Sequence, residues 1–376
     1  MSKKWEAKMA YFDNVKKNFG FGLMRLPTKA LLIDHDELCK MVDMFMEAGF
    51  NYFDTAHGYM EMRSESAARK ALVERYPRES FVLTNKLSNG FFKTEKNIRP
   101  LLDRQLKKCG VEYFDFYLMH ALNAESYEKY KKCNAFEVCK QLKAEGKIRH
   151  IGISFHDKSD VLRKILSEQP DIEVVQIQFN YLDYDDPTVE GKENLEVCRE
   201  FNKPVIVMEP VKGGILAKLP EEAQEVFDEM DGGSAASYAI RYCAGFDGIF
   251  MTISGMGNTE MMADNISYMK DFKPLDETEM AAVEKVRDII DSKNLIDCTG
   301  CKYCLEVCPK DVPIPELFAC YNSKKQFKSW NTDMYYNIVA NVGSSNCIGC
   351  GKCEAACPQH LNIRDLFKKV KREFGK

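Results

Sequence analysis

Eight cysteines near the C-terminus of this 376-residue chain are spaced for inorganic chemistry. Cys298, Cys301, Cys304 and Cys308 form the run C-x2-C-x2-C-x3-C with Pro309 behind it, and Cys347, Cys350, Cys353 and Cys357 repeat it ahead of Pro358. Thiolates two and three residues apart can wrap a small iron–sulfur cube, and Gly300 and Gly349 let the backbone turn close to it. Zinc motifs usually supply their ligands as separated pairs, whereas here four cysteines stand in one run, twice. The spacing therefore predicts two [4Fe–4S] clusters.

A second set of residues is spread over the first third of the chain. Asp54 and Tyr59 lie in FDTAHGY, Lys86 in TNKL and His120 in FYLMH. A phenol, with a reference pKa of about 10, is a poor acid at neutral pH. An ammonium beside it stabilises the phenolate, which would make Tyr59 a better proton donor. Asp54 would hold Lys86 charged and in place, and His120 would orient a carbonyl oxygen or assist the proton's passage. A hydride delivered to carbon while Tyr59 protonates oxygen is carbonyl reduction. Taken singly, an Asp at a strand end is often a helix cap and a lone His is often packing. Their combination, each at an expected strand end, makes them candidates for catalysis.

The elements that must position these residues follow from the apolar pattern. Short apolar runs occur at 19–23, 50–54, 80–86, 114–120, 149–154, 173–180, 204–209 and 249–255. Between them lie segments with helical periodicity, clearest at 35–49, 64–76, 95–110 and 135–147. Strand then helix, eight times over, predicts a (β/α)8 barrel, whose active residues stand at the C-terminal ends of its strands. The alternative is an open dinucleotide-binding sheet. After the first strand, however, Gly20 and Gly22 give only G-x-G, and the chain runs on to Pro27 without opening a helix. One more amphipathic helix is expected at 275–291, with a domain boundary near 290–297. The expected division is a barrel over 1–290 and a small, mainly helical cluster domain over 291–376.

A net charge of −4 without a basic stripe gives no reason to expect nucleic acid as a partner. Neither a signal peptide in the opening MSKKWEAKMAYFDNVKKNFGFG nor a membrane-length apolar stretch is evident, which favours a cytoplasmic protein. The other cysteines, Cys39, Cys109, Cys133, Cys139, Cys198, Cys243 and Cys320, fall mostly in apolar patterns and read as small buried hydrophobes.

D-T-A-x-x-Y, then T-N-K-L, then F-Y-L-M-H resembles the Asp/Tyr/Lys/His tetrad of the aldo-keto reductases over roughly residues 17–270. The resemblance implies NAD(P)H as hydride source, lying across the strand ends. It implies nicotinamide contacts at Ser154, Gln176 and Asn180, a phosphate end at Ser254, Gly255, Asn258 and Asn265, where a helix N-terminus also attracts phosphate, and a further cofactor contact at Gly22. Two features depart from the family pattern. Met208 stands where many members stack an aromatic on the nicotinamide, and Gly255 and Met261 stand where NADPH-preferring members offer Lys and Arg. Lys212 could supply charge near a pyrophosphate. NADH, NADPH and a flavin all remain consistent with the site. His57 and His156, on strand-end loops, read as packing or substrate contacts.

The C-terminal segment, with helical patterns at 314–327 and 331–343, resembles the α-helical two-cluster ferredoxin domains. In two-cluster ferredoxins the fourth cysteine of each run ligates the other cluster. That pairing gives Cys298, Cys301, Cys304 and Cys357 to one cluster and Cys347, Cys350, Cys353 and Cys308 to the other. Crossed ligation draws both runs together, so the domain should fold only with iron bound. It also follows the last barrel helix, where reductases of this kind usually place a substrate-covering loop.

The combined reading is an oxidoreductase in which a two-electron barrel site is coupled to one-electron clusters. A flavin, or a substrate able to form a radical, would bridge hydride and single electrons. The expected partners are a small-molecule substrate and a ferredoxin or flavoprotein. Two other readings stand beside it: a simple carbonyl reductase with structural clusters, and a non-catalytic electron-transfer protein.

Overall fold

A computed structural model of the chain describes residues 12–187, 189–230, 232–293, 295–327, 336, 337, 339 and 347–374. The first eleven residues and most of the helical pattern at 331–343 lie outside the described residues. The chain forms two compact units. One takes the described residues up to Pro210 with Ile240–Pro274, and the other takes Val211–Ala239 with the residues from Leu275 onward.

The eight apolar runs are the eight strands of a closed parallel barrel. They are β1 (Phe19–Gly22), β2 (Tyr52–Asp54), β3 (Val82–Ser88), β4 (Phe114–Leu122), β5 (Ile148–Phe155), β6 (Val174–Gln178), β7 (Val205–Met208) and β8 (Ile249–Ser254), with β8 pairing back onto β1. Most of these strand residues are buried, which is why the runs read as continuous rather than alternating. After the strands come α1 (His35–Glu47), α2 (Ser64–Ala68, continued by a wider turn at Arg69–Val73), α3 (Ile98–Cys109), α4 (Ala135–Ala144), α5 (Ser159–Glu168), α6 (Gly191–Glu200), α7 (Ala235–Gly245) and α8 (Thr259–Met269). Helix α1 starts where the Asp34 side chain accepts from the Glu37 amide, and it turns Leu38, Met41, Val42 and Phe45 inward. Helix α3 ends at Gly110, whose φ of 73° needs no Cβ. A short antiparallel pair, Thr28–Lys29 with Leu32–Ile33, and an additional polar helix at Ala124–Lys132 were not expected from the pattern.

Inside the barrel, Tyr52, Val82, Phe116, Leu118, Val174, Ile206 and Met251 share one core with Phe12 and Val15. Gly152 of β5 is the tight point. A Cβ there would stand 2.5 Å from both Leu118 Cδ2 and Val174 Cγ1, and 2.7 Å from the Val174 carbonyl oxygen. Of the seven scattered cysteines, Cys109, Cys133, Cys139, Cys198, Cys243 and Cys320 are buried and Cys39 is half-buried.

In the second unit, α9 (Glu277–Ser292) opens on a capping box between Asp276 and Glu279 and packs against the helix Glu221–Asp228. The cysteine-rich part contains α10 (Ile314–Phe327) and α11 (Ile363–Glu373). Leu317, Phe318, Ile363, Phe367 and Val370 form its core, with the Phe318 and Phe367 rings 5.6 Å apart. Among the described residues no helix is long and apolar enough to cross a membrane.

The contacts at Gly152 generate a stability test. Gly152→Ala should destabilise the barrel by about 1–3 kcal/mol, because one neighbour is backbone and cannot rotate away. The check is the thermal midpoint of the far-ultraviolet circular dichroism; an unchanged midpoint would show that β5 and β6 can part at no cost.

Candidate active site

Asp54 closes β2, and the parallel register sets it beside Gly22 on β1 and Thr84 on β3. From β3, Lys86 Nζ donates to Asp54 Oδ1 at 2.5 Å and to the Thr55 carbonyl at 3.0 Å. Gln176 Nε2 lies 3.4 Å from the other carboxylate oxygen. The pair is nearly dry, with Asp54 3% exposed and Lys86 fully buried. Burial pushes the Asp54 carboxyl above its ordinary pKa and the Lys86 ammonium below its own, and in each case the partner's charge is the chief opposing influence.

A buried polar chain fixes Lys86 from behind. Tyr117 donates to Gln105 Oε1 at 2.6 Å, and Gln105 Nε2 donates to the Lys86 carbonyl at 2.9 Å and to Asn85 Oδ1 at 3.0 Å. Asn85 Nδ2 continues to Glu65 Oε1 at 3.0 Å. With its stem and backbone both held, Lys86 has little freedom to leave Asp54.

Tyr59 stands on the loop after β2. Lys86 Nζ is 4.8 Å from its ring centroid, and the His120 ring is 5.8 Å away, nearly edge-on at 76°. Directly after Tyr59, Met60, Glu61 and Met62 all have left-handed backbone, with φ of 53°, 54° and 65°. Such conformations cost about 1–3 kcal/mol each for residues with a side chain. The turn is held by Arg63 Nε on the Met60 carbonyl at 3.0 Å and by Lys108 Nζ on the Met62 carbonyl at 2.7 Å.

His120 is placed by β4, opposite Ser88 of β3. Its Nδ1 is 2.7 Å from Ser88 Oγ, and its backbone amide donates to the Tyr130 hydroxyl at 3.0 Å. Burial, then the Lys86 charge, then His156 hold its pKa well below the ordinary histidine value. The structure thus brings Asp54, Tyr59, Lys86 and His120 together.

The other expected contacts have mixed surroundings. Ser154 Oγ accepts from the Ala121 amide at 2.8 Å, and Ser154 lies beside Gln176 in the β5–β6 register. Asn180 is committed locally: its oxygen accepts from the Leu182 and Asp183 amides, and its nitrogen donates to Asp183 Oδ2 and the Glu209 carbonyl. Met208 ends β7 half-buried. Ser254 donates to Asn265 Oδ1 at 2.8 Å, and Asn258 caps α8 by accepting from the Met261 amide. At Gly255 an added Cβ would stand 3.7 Å from the Cβ of Arg25, a residue the sequence did not single out, whose guanidinium lies 3.4 Å from Glu209 Oε1. Lys212, in the second unit, is buried with Nζ 3.9 Å from Asp297 Oδ1. His57 bonds buried Glu65, and His156 donates its amide to the Leu122 carbonyl.

In the second unit the thiols divide by cavity. Cys298, Cys301, Cys304 and Cys357 line one, together with Ile314, Phe318 and Ile363. Cys308, Cys347, Cys350 and Cys353 line the other, with Val312, Ile348 and Phe367. Each cavity takes three thiols from one run and one from the other. The two runs fold alike: Gly300 and Gly349, Lys302 and Gly351, and Asp311 and His360 hold left-handed backbone at matching positions. Short helices follow at Tyr303–Glu306 and Lys352–Ala355. Four thiols around an apolar cavity are the donor set an iron–sulfur cluster takes, so the residues fit that group.

Comparison with known proteins finds two matching stretches. Residues 18–288 match the aldo/keto reductase family, and residues 297–361 match the 4Fe-4S dicluster domain. The NADH-specific methylglyoxal reductase of Escherichia coli is 30% identical over 46% of this chain and 57% of its own length. An uncharacterized oxidoreductase of Schizosaccharomyces pombe is 24% identical over 68% of this chain and 82% of its own. Among solved structures, an aldo-keto reductase of Bacillus halodurans in its holo form has a TM-score of 0.60 at 24% identity, covering 72% of this chain and 92% of that one. An aldo-keto reductase of Klebsiella pneumoniae in complex with NADPH has a TM-score of 0.59 at 18% identity, covering 73% and 95%. These two likenesses show the fold. With a family match spanning most of its length, the chain belongs to the aldo/keto reductase family of oxidoreductases and carries a 4Fe-4S dicluster domain C-terminal to the reductase barrel.

Proposed function

We propose that this chain reduces a carbonyl or related substrate with NAD(P)H in a barrel domain over 1–290 and exchanges electrons with two [4Fe–4S] clusters held by a domain over 291–376. The observation that carries the reading is the position of Lys86, bonded to the Asp54 carboxylate and 4.8 Å from the Tyr59 ring centroid. When bound, NAD(P)H supplies a hydride and the clusters supply or accept single electrons.

The remaining work falls to the chain's own side chains. The Lys86 ammonium favours a negative Tyr59 oxygen, so the phenol gives its proton more readily to the substrate oxygen. Asp54, with Gln176 beside its second oxygen and Thr55 accepting from the same ammonium, holds that charge at one place. His120 stays neutral at physiological pH and, with Ser88 on Nδ1, offers a single N–H to orient the carbonyl without adding a competing cation. Gly22, Ser154, Gln176, Asn180 and Met208 would hold the nicotinamide end. Ser254, Gly255, Asn258 and Asn265 would hold the phosphates. Cys298, Cys301, Cys304 and Cys357 would hold one cluster and Cys308, Cys347, Cys350 and Cys353 the other, in keeping with a reducing cytoplasm. A ferredoxin or flavoprotein would serve as the external redox partner.

Methylglyoxal, named for the E. coli relative, is the first substrate to try. Tyr59→Phe should lower its reduction by at least about a hundredfold while iron content stays constant. Retained turnover would remove Tyr59 from the chemistry. Anaerobic titration with NADH and with NADPH, following cluster absorption, should bleach the visible bands. Nucleotide binding without bleaching would separate the barrel from the clusters.

Two further outcomes follow from geometry. The His120 ring should show no NMR titration midpoint near the ordinary histidine value of about 6.5. Below about pH 6.5 the unfolded ring takes up a proton that the folded ring refuses, so this group's contribution to stability is lost as pH falls. A midpoint near 6.5 would contradict a dry, neutral His120. For the cysteines, pairs of alanine substitutions separate crossed from uncrossed ligation. Cys308→Ala with Cys347→Ala should leave about four irons, whereas Cys298→Ala with Cys308→Ala should leave about none. The reverse order would mean that each run holds its own cluster.

A further inference from the structure

On the outer side of the barrel unit, between α2 with its following turn and α3, lies a cleft of about 610 Å³. Its walls carry Arg69, Lys70, Arg104, Lys107 and Lys108. Among the described residues Glu74 is the one carboxylate lining it, and it is taken by Arg69 Nε at 2.8 Å. Among the described residues no carboxylate pairs with Lys70, Arg104 or Lys107. Gathering like charges around a concave surface is unfavourable and contributes nothing to the fold.

A second observation comes from the floor. His57 lines the cleft although it is only 7% exposed. Its Nδ1 is fixed 2.8 Å from Oε2 of the fully buried Glu65, and its ring meets Phe91 edge-on at 4.7 Å. Among the described residues the ring's polar contact is through Nδ1, and the other ring nitrogen makes none. Lys108 is anchored in the same way, with Nζ 2.7 Å from the Met62 carbonyl and 3.5 Å from Glu65 Oε2. The cleft therefore joins a pre-oriented imidazole and a tethered ammonium to a rim of unpaired cations.

We propose that this cleft is a binding site for a phosphorylated small molecule carrying at least two negative charges, such as a phosphate ester or a pyrophosphate. The chemistry of the lining selects that class. Apart from lysine and arginine stems it offers no apolar side chain, so it has nothing to recognise a neutral carbonyl substrate. It also lacks the aromatic or aliphatic anchors around which protein interfaces concentrate their energy. Guanidinium and ammonium donors suit phosphate oxygens, and the volume suits a small phosphorylated metabolite. This site lies on different elements from Arg25, Gly255 and α8, and it stands whether or not the barrel reduces carbonyls.

Inorganic pyrophosphate is the probe, titrated calorimetrically into the full, cluster-loaded chain under anaerobic conditions. One saturable site is expected with a Kd below about 1 mM, weakening as salt rises. Arg104→Glu should raise that Kd by at least about tenfold, while Lys132→Glu, the same charge change on an exposed helix outside the cleft, should leave it within about twofold. Lys107→Glu serves equally if the first variant folds poorly. Absence of saturation below about 10 mM would overturn the proposal. Equal affinities for the Arg104→Glu and Lys132→Glu proteins would do the same, placing the anion elsewhere. Failure with pyrophosphate beside Arg104-dependent capture of polyglutamate would assign the cleft to an acidic protein surface instead.

Discussion

Asp54 and Lys86 carry opposite charges at the ends of neighbouring strands with almost no access to water. Taking two ions out of water costs several kcal/mol each, and removing one partner of such a pair typically costs about 3–5 kcal/mol. The pair persists because the surroundings satisfy it. The β2–β3 register brings the side chains within reach, Thr55 and Gln176 take the remaining donor and acceptor, and the Tyr117–Gln105–Asn85 chain grips the strand that carries Lys86. Tyr59 and His120 are arranged around this fixed charge. The loop bearing Tyr59 tolerates three left-handed residues in succession because arginine and lysine side chains fasten its carbonyls.

The second unit is built on a different balance. Among the described residues its core near the cysteines gathers thirteen buried side chains, chiefly from α10 and α11, and Cys304 and Cys353 of the two runs are among them. Small domains of this kind usually lean on a metal as well as on such a core. The thiols sit around apolar cavities, so whatever occupies them contributes to the cohesion of the domain as well as to its chemistry.

Much of this was legible in the sequence, and the rest was hidden for identifiable reasons. The eight strands stood out because their residues are buried on both faces, leaving unbroken apolar runs. The four polar residues could be picked because each follows or ends one of those runs. Cysteine spacing declared itself without any fold. Ser88 could have been found: it lies two residues beyond Lys86 and so shares its face of β3. Tyr130 and Arg25 could not, since their partners, Leu87 and His120 for one and Glu209 for the other, are distant in sequence and set by packing alone. The helix Ala124–Lys132 escaped notice because AESYEKYKK has little apolar periodicity. Nothing local marks Val211–Ala239 as packing with the C-terminal residues, although a Cβ at Gly213 would meet the Thr299 carbonyl oxygen at 2.4 Å and Glu222 pairs with Lys293.

The sharing of thiols between the two cavities has a consequence for assembly. Each cavity is closed by one cysteine from the opposite run, so filling either one staples together segments that begin far apart in the chain. Once the first is filled, the missing thiol of the second would already be tethered nearby, at an effective concentration set by the chain instead of by diffusion. Were both cavities to take clusters, filling the first would favour filling the second, and oxidation of a single cysteine would loosen the staple that positions its neighbour's ligand. Damage to one run would therefore loosen both cavities, although a cavity that keeps all four of its thiols could still be filled.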